Sequence, residues 1–221
     1  MINIACVLRA GGKVGYDATW VEKLANSVKR NLSIEHTFTA LSDVDVPVNR
    51  IPLDPLPGSP RGFWYKMQLF KHEQFVNSPT IYFDLDLVIC NNIDAEVSKI
   101  VNQSKFVMLW EDNSHRPGVP STSNSSIMFW NGDYRYLWEK FSSSPEHFYQ
   151  KHEDRASFGD QGFIKENVDH ILLHTLIGSD KISWVDRKQK EPESTKFLIF
   201  TKPSRKPSKY QGHHLVDKHW V

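Results

Sequence analysis

The sequence predicts a single α/β domain with a mostly parallel central sheet and helices on its faces. Short β-branched and apolar runs alternate with segments of helical periodicity through the first two-thirds of the chain. At 221 residues the chain is long enough to bury one large core. Its hydrophobic content of 39% and charged content of 24% are typical of globular proteins rather than of disordered or fibrous ones.

The predicted elements alternate regularly as far as residue 110 and less regularly after it. Short apolar runs predict strands at residues 3–8, 36–41, 80–89, 105–110, 126–130, 181–185 and 196–200. Apolar residues at helical spacing predict helices at residues 19–31, 62–75, 134–141 and 160–167. The first helix has Trp20, Leu24 and Val28 on one face, with Asp17 or Thr19 as its cap. Residues 47–60 predict a proline-rich connection.

Composition and charge exclude several classes of protein. A net charge of +1 gives no overall attraction to nucleic acid or to an anionic membrane. No apolar run approaches the roughly 18 residues that a membrane span needs. The N-terminal MINIACVL lacks the basic start of a secretory signal, so we expect a first core strand there. Cys6 and Cys90 lie in predicted strands, which favours buried reduced thiols and a cytoplasmic location.

The stretch TIYFDLDLVI, residues 80–89, carries two carboxylates inside an apolar strand pattern. Burying an unpaired carboxylate is costly, so Asp84 and Asp86 require compensation. In an extended chain their spacing of two places both side chains on the same side. Hard carboxylate oxygens suit Mg²⁺ or Mn²⁺, which in turn bridge well to phosphates. The pattern therefore predicts a divalent cation and a phosphate-bearing ligand at the carboxyl end of the sheet.

In this setting FDLD resembles the DxD motif of the GT-A glycosyltransferases, and is similar to that of family 8 and related bacterial and phage enzymes. The likeness extends over about residues 1–165, because GFWYKMQLF before the motif and NSSIMFW and GDQGFI after it fall in the family's order and approximate spacing. The resemblance implies a Rossmann-like mixed sheet flanked by helices in one domain, residues 1–221. It also implies a C-terminal tail, about residues 200–221, that closes over a donor site.

The resemblance implies metal-dependent transfer of a hexosyl or pentosyl group from a nucleoside-diphosphate sugar, first of all a UDP-sugar, to a hydroxyl of an acceptor glycan. Asp86 would be the main metal ligand, Asp84 would contact the ribose or the metal, and the Leu85 backbone would face the nucleotide. Lys66 would be a cation beside the diphosphate or sugar. Asp160 would be the general base of an inverting enzyme or would orient sugar in a retaining one, and family 8 favours retention. The further residues implied to bind the donor are Arg9, Tyr16, Asn124, Ser125, Gln161 and Lys206.

Two departures from the family pattern affect these assignments. Ser126 stands where glycine is usual, which disfavours close approach of a ligand to the backbone. Phe200 and Thr201 stand where a metal-binding histidine is expected. A third metal ligand is then absent or comes from the tail, and we take His219 as the candidate. The alternatives in the tail are His213 and His214.

Two other functions and one other acceptor remain open from the sequence. GGKVG at residues 11–15 follows a strand as a nucleotide-binding loop does, which is compatible with a nucleotidyltransferase. Basic residues at 187–190 and in TKPSRKPSK, residues 201–209, are compatible with a modified DNA base as the acceptor. A non-catalytic binding protein would expose several of its tryptophans. The tryptophans concerned are Trp64, Trp110, Trp130, Trp138 and Trp220.

Overall fold

Two β-sheets organise the residues described by the computed structural model, which are 1–111, 113, 121–153, 158–185, 191–200, 206–210 and 212–221. The strands are β1 (Ile2–Leu8), β2 (His36–Ser42), β3 (Asn49–Pro52), β4 (Thr80–Phe83), β5 (Val88–Ile89), β6 (Phe106–Glu111), β7 (Thr122–Trp130), β8 (His170–Leu172), β9 (Ile182–Trp184) and β10 (Phe197–Ile199). The large sheet has the order β3-β2-β1-β4-β7-β6-β8, and the small sheet has the order β5-β10-β9.

Helices cover both faces of the large sheet. The α-helices are α1 (Ala18–Asn31), α2 (Asp94–Val101), α3 (Arg135–Ser143), α4 (Pro145–Lys151), α5 (Gly159–Asn167), α6 (Leu173–Ile177) and α7 (His214–His219). The 3₁₀ helices are Gly62–Lys71, Glu73–Phe75, Ser179–Lys181 and Pro207–Lys209. No helix in the described part of the chain has the length and apolar character needed to cross a bilayer.

The large sheet is mixed, and β7 is the strand that makes it so. β1 is parallel to β2 and β4, β2 to β3, and β6 to β8. β7 runs antiparallel to both of its neighbours, β4 and β6. The predicted α/β class with a mostly parallel, mixed sheet is therefore confirmed.

The central strand β1 shows how the sequence divides the core between the two faces of the sheet. Ile4, Cys6 and Leu8 belong to one buried cluster, and Ala5 and Val7 belong to the other. Side chains of a strand alternate between faces, and a strand buried on both faces is apolar throughout. The continuous apolar run of residues 4–8 follows from that double burial.

Helix α1 forms as the sequence predicts. The Asp17 side chain accepts a hydrogen bond from the Thr19 backbone N–H at 2.9 Å, which caps the first turn. Trp20, Leu24 and Val28 are buried against the sheet, as their helical spacing requires. Of the two caps that the sequence allowed, Asp17 is the one used.

The segment after the proline-rich connection differs from its prediction. Residues 62–75 were expected to form an amphipathic helix, but Gly62–Lys71 is a 3₁₀ helix with side chains 64–70 all buried. It packs between β1, α3 and α5 and so has no solvent face. Two polar residues within it therefore need internal partners. Gln68 exchanges two hydrogen bonds with the Asp54 backbone, at 2.8 and 3.0 Å, and Lys66 is bound by carboxylates.

Other boundaries also differ from the prediction. The expected continuous strand 80–89 is two short strands in different sheets, β4 and β5, with residues 84–87 between them. β7 begins at Thr122, four residues before the predicted strand, because the polar run STSNSS pairs with β6. β3, α2, α4, β8 and α6 are elements that the sequence pattern did not predict. The tail contains α7 where no periodicity was recognised.

We predict that Gly159→Ala destabilises the protein more than Gly12→Ala does. Both glycines have positive φ, +64° and +70°, where alanine is strained by about 1–2 kcal/mol. A Cβ on Gly159 would also lie 2.6 Å from the Phe63 ring, whereas one on Gly12 meets nothing within 4 Å. Overpacking should add about 1–3 kcal/mol to the first loss. Urea denaturation of both variants measures the difference, and equal losses would contradict the tight packing of Phe63 on Gly159.

Candidate active site

The two aspartates of FDLD lie in a tight turn at the carboxyl end of β4. The Leu87 backbone N–H donates to the Asp84 carbonyl at 3.1 Å, which closes a four-residue β-turn with Leu85 and Asp86 at its centre. The prediction that an extended strand places both carboxylates on one side is thus wrong in its geometry. The placement at the edge where β1 and β2 also end agrees with the prediction.

Lys66 is the centre of the polar network beneath this turn. Its ammonium lies 2.9 Å from Asp84 Oδ1 and 3.3 Å from Asp160 Oδ2, and it donates to Ser125 Oγ at 3.0 Å. Its side chain is only 8% exposed. Two carboxylates therefore supply counter-charge to this buried ammonium, and the Ser125 hydroxyl accepts one of its hydrogen bonds. Lys66 holds together residues from three separate elements.

Charge and burial shift the pKa values of this network. Burial disfavours the charge on Lys66, but Asp160 and Asp84 outweigh it and raise the pKa of the ammonium. Burial acts to raise the pKa of Asp84, but Lys66 and hydrogen bonds from Ser126 and Tyr82 lower it below its ordinary value. Burial raises the pKa of Asp160, which Lys66 and Ser125 only partly offset. Asp84 is therefore the more firmly ionised of the two carboxyls.

Asp160 lies in the first turn of α5, where the helix dipole favours negative charge. It is not the N-cap, because Phe158 occupies that position and makes no side-chain capping bond. Gln161 follows on the same turn and is half-buried. The carboxylate of Asp160 therefore serves the Lys66 network rather than the helix end.

Asp86 has a different set of partners. The Tyr16 hydroxyl donates to Asp86 Oδ2 at 2.8 Å, and the Lys206 ammonium forms an ion pair with the same oxygen. Lys206 also donates to the Phe200 carbonyl at 3.2 Å. Asp86 is 5% exposed and Lys206 is 9% exposed. Burial and then the charge of Asp86 raise the pKa of the Tyr16 hydroxyl.

The GGKVG loop positions Tyr16. Gly11 and Tyr16 exchange backbone hydrogen bonds of 2.7 and 3.2 Å, which makes the loop a small hairpin after β1. Arg9, also predicted to contact the donor, lies at the same edge with 47% of its side chain exposed and forms an ion pair with Asp43. The loop and Arg9 therefore border the turn that carries Asp84 and Asp86.

The structure separates two residues that were predicted to act together. Ser125 points to Lys66, whereas the Asn124 side chain accepts from the Ser126 backbone at 2.8 Å and donates to Glu111 at 3.3 Å. The β6–β7 ladder shifts register here, and Asn124 pairs with Leu109, which belongs to the buried cluster on the face opposite the 3₁₀ helix Gly62–Lys71. Asn124 thus lies on the other face of the sheet from the Lys66 network, and Ser125 alone joins it.

The predicted metal ligand His219 is not grouped with the aspartates. Its backbone carbonyl accepts from Arg30 at 2.8 Å, and burial, Lys218 and Arg30 lower the pKa of its ring. Within the described ranges, no group of three or more His, Cys, Asp and Glu side chains is placed to hold a metal. His213 pairs instead with Glu191 at 3.1 Å, and His214 stacks on His213. The arrangement gives His219 no support as a third ligand.

Sequence reasoning missed Tyr82 as part of the site. Its hydroxyl donates to Asp84 Oδ1 at 2.6 Å, and its ring lies 5.2 Å from the Lys66 ammonium. Burial and the charge of Asp84 raise the pKa of this hydroxyl. The signal that could have identified it is its position two residues before Asp84 at the end of a strand.

The tryptophans give no support to a surface-binding role. Trp64 and Trp130 are 3% and 1% exposed and belong to the core. Trp110, Trp138 and Trp220 are each only partly exposed. A non-catalytic protein that binds a partner through several exposed tryptophans is therefore not what the structure presents.

Comparison with solved structures identifies the fold. No protein-family model matches the chain, and no curated protein sequence matches it. The galactosyltransferase LgtC, solved in complex with donor and acceptor sugar analogs, matches with a TM-score of 0.62 and 12% identity over 100% of this chain and 97% of its own. The protein has the LgtC fold. An active-site mutant of LgtC matches with a TM-score of 0.59 and 10% identity over the same shares of both chains.

A further structural likeness covers part of a larger protein. The glycosyltransferase GlyE of Streptococcus pneumoniae TIGR4 matches with a TM-score of 0.50 and 11% identity, over 77% of this chain and 45% of its own. The predicted GT-A-type fold, a mixed sheet flanked by helices, is confirmed by the match to LgtC. At these identities the likeness establishes the fold alone.

We predict that Lys66→Met destabilises the protein by about 3–5 kcal/mol, because it leaves buried carboxylates without their counter-ion. The additional change Asp160→Asn should recover part of that loss, since it removes one of the unpaired charges. Lys105→Met is the matched control, because the Lys105–Asp169 ion pair is 54% and 77% exposed and should contribute about 0–1 kcal/mol. Urea denaturation of the four proteins gives the values. A Lys66→Met protein as stable as the control would contradict the role assigned to Lys66.

Proposed function

We propose that the protein is a metal-dependent glycosyltransferase that moves a sugar from a nucleoside-diphosphate donor to an acceptor hydroxyl. A UDP-sugar is the first candidate for the donor. The observation that carries the proposal is the FDLD turn at the carboxyl edge of parallel strands, with Asp84 and Asp86 against two lysines. The LgtC fold supports it, since that protein was solved with donor and acceptor sugar analogs.

The donor would lie along the edge formed by the ends of β1 and β4. In open α/β sheets a ligand occupies the crevice at the carboxyl ends of the strands. Arg9 and the hairpin that carries Tyr16 border this edge from one side, and the FDLD turn borders it from the other. A nucleotide there would meet the exposed Arg9 guanidinium, and its diphosphate would meet Lys206.

The residues of the turn fit a divalent cation. Asp84 and Asp86 supply hard oxygen ligands from one short turn at the edge of the sheet. Mg²⁺ and Mn²⁺ are commonly held by one or two carboxylates together with substrate phosphates and water, so two protein ligands are sufficient. When bound, the metal would neutralise charge on the departing nucleoside diphosphate. Asp84 and Asp86 are the residues that would hold it.

Lys66 has a positioning role in this proposal. The sequence resemblance implied contact with the diphosphate or the sugar, but the buried Lys66 ammonium lies between Asp84, Asp160 and Ser125. It fixes the Asp84 carboxylate and keeps it ionised. The cation that remains for the diphosphate is Lys206, which reaches the same turn from the tail.

Asp160 and Gln161 are proposed to face the sugars. The Asp160 carboxylate is 4% exposed and is held by Lys66, so an orienting and electrostatic role suits it better than that of a mobile general base. That role agrees with the retention of configuration that the family 8 resemblance implies. Gln161, half-buried beside it, would present its amide to a sugar hydroxyl.

A glycan is the proposed acceptor. The alternative of a modified DNA base relied on the basic stretches 187–190 and 201–209, of which only residues 206–209 are described. Lys206 is buried against Asp86, so Lys209 is the one described lysine of these stretches that is exposed, and a single lysine makes no cationic surface for a phosphate backbone. We also propose a cytoplasmic location, which is compatible with Cys6 and Cys90 being free and buried.

We predict that one nucleoside diphosphate, with UDP as the first candidate, raises the melting temperature of the protein in the presence of Mn²⁺ but not in the presence of EDTA. A ligand that binds only the folded state must raise the midpoint of unfolding, by an amount set by its concentration relative to Kd. UDP, GDP, ADP and CMP form the panel. Release of pyrophosphate from a nucleoside triphosphate would instead identify a nucleotidyltransferase. An unchanged midpoint with every nucleotide, with and without metal, would contradict the proposed donor site.

We predict that Asp86→Asn abolishes the Mn²⁺-dependent shift while the variant still folds. The amide keeps the shape of the side chain but removes the charge that a divalent cation requires. Asp45→Asn is the control, because the Asp45 side chain is 99% exposed and pairs only with Arg50 among the contacts described. Circular dichroism checks folding, and melting with UDP and Mn²⁺ measures binding. An Asp86→Asn protein that binds UDP as the wild type does would refute the metal assignment.

A further inference from the structure

The contact between Lys206 and Asp86 places a cation of the protein where the proposed metal would bind. The Lys206 ammonium and the Tyr16 hydroxyl both contact Asp86 Oδ2. Within the described residues, these two contacts occupy Oδ2 and leave Oδ1 as the Asp86 oxygen open to a metal. A divalent ion and an ammonium on the same carboxylate also repel each other strongly at such separations.

Lys206 is held in this position by the protein interior. Its ammonium donates to the Phe200 carbonyl at 3.2 Å, and Phe200 packs in a buried cluster with Val88 and Val216. Because Lys206 is only 9% exposed, separating it from Asp86 would leave a buried ammonium without a counter-ion unless another anion takes the place of Asp86. Displacement of this lysine by a metal alone is therefore unfavourable.

The end of the tail is anchored independently of Lys206. Trp220 packs edge-on against Trp20 with ring centroids 4.9 Å apart, and the Lys23 ammonium lies 4.3 Å from the Trp220 ring. Arg30 donates to the carbonyls of His219 and Val221. Helix α7 thus stays fixed to α1 whatever Lys206 contacts, so an exchange of partners at Lys206 needs only local movement.

We propose that Lys206 is a resident counter-cation that competes with divalent metal for Asp86, so that metal binds well only together with a diphosphate. The inference rests on the proposed function and adds how binding of the metal would be made dependent on the nucleotide. A diphosphate beside the turn would give the Lys206 ammonium a new anionic partner and free Asp86 for the metal. Metal and nucleotide then strengthen each other's binding by the same factor.

The first test measures Mn²⁺ binding without nucleotide, by electron paramagnetic resonance of free Mn²⁺, for the wild type and for Lys206→Met. Loss of the competing ammonium should tighten Mn²⁺ binding by about tenfold or more, within the usual range of such couplings. Lys209→Met is the matched control, because Lys209 lies in the same 3₁₀ turn and is exposed. It should leave Mn²⁺ binding unchanged. Lys206→Gln replaces Lys206→Met if the latter does not fold.

The second test repeats the titration in the presence of UDP. In the wild type UDP should tighten Mn²⁺ binding, and in Lys206→Met this enhancement should shrink severalfold. Wild-type protein that binds UDP with Mn²⁺, combined with unchanged or weaker Mn²⁺ binding by Lys206→Met alone, would overturn this inference and leave the proposed function standing. Absence of any nucleotide binding, with or without Mn²⁺, would overturn both.

Discussion

The burial of three aspartates at one edge of the sheet is the constraint on which the rest of the site depends. Asp86 and Asp160 are almost fully buried, and the Asp84 side chain is 23% exposed. Unpaired carboxylates in such positions would cost several kcal/mol each. Each is matched by a lysine, so Lys66 and Lys206 are as necessary to the fold of this edge as the apolar residues beneath it.

The elements around Lys66 follow from this constraint. A buried lysine needs a carboxylate within reach. The 3₁₀ helix Gly62–Lys71 places Lys66 between Asp84, in the turn after β4, and Asp160 in α5. Ser125 on the antiparallel strand β7 supplies the third acceptor. Only with β7 inserted between β4 and β6 do these groups meet, so the mixed topology of the sheet is part of the site.

The sequence predicted what local periodicity determines and missed what tertiary pairing determines. The cap of α1 and the two-sided burial of β1 are local properties, and both follow from the residues. The break after β4 is different, because apolar residues continue through Leu87 to Ile89 in a second sheet and the pattern cannot show that the sheet changes. Asp84, Asp86, Lys66, Asp160 and Ser125 were recognised as site candidates, whereas the placement of Asn124 on the opposite face required the register of β7.

The two lysines differ in how permanently they are bound. Lys66 pairs with two carboxylates and comes from a 3₁₀ helix without a solvent face, so its charge is committed to Asp84 and Asp160. Lys206 comes from the tail, with only a carboxylate oxygen and the Phe200 carbonyl identified as its acceptors. An incoming anion can therefore compete for Lys206 and not for Lys66. Asp86 is therefore the carboxylate whose counter-ion can be exchanged, whereas Asp84 and Asp160 keep Lys66 as their counter-ion.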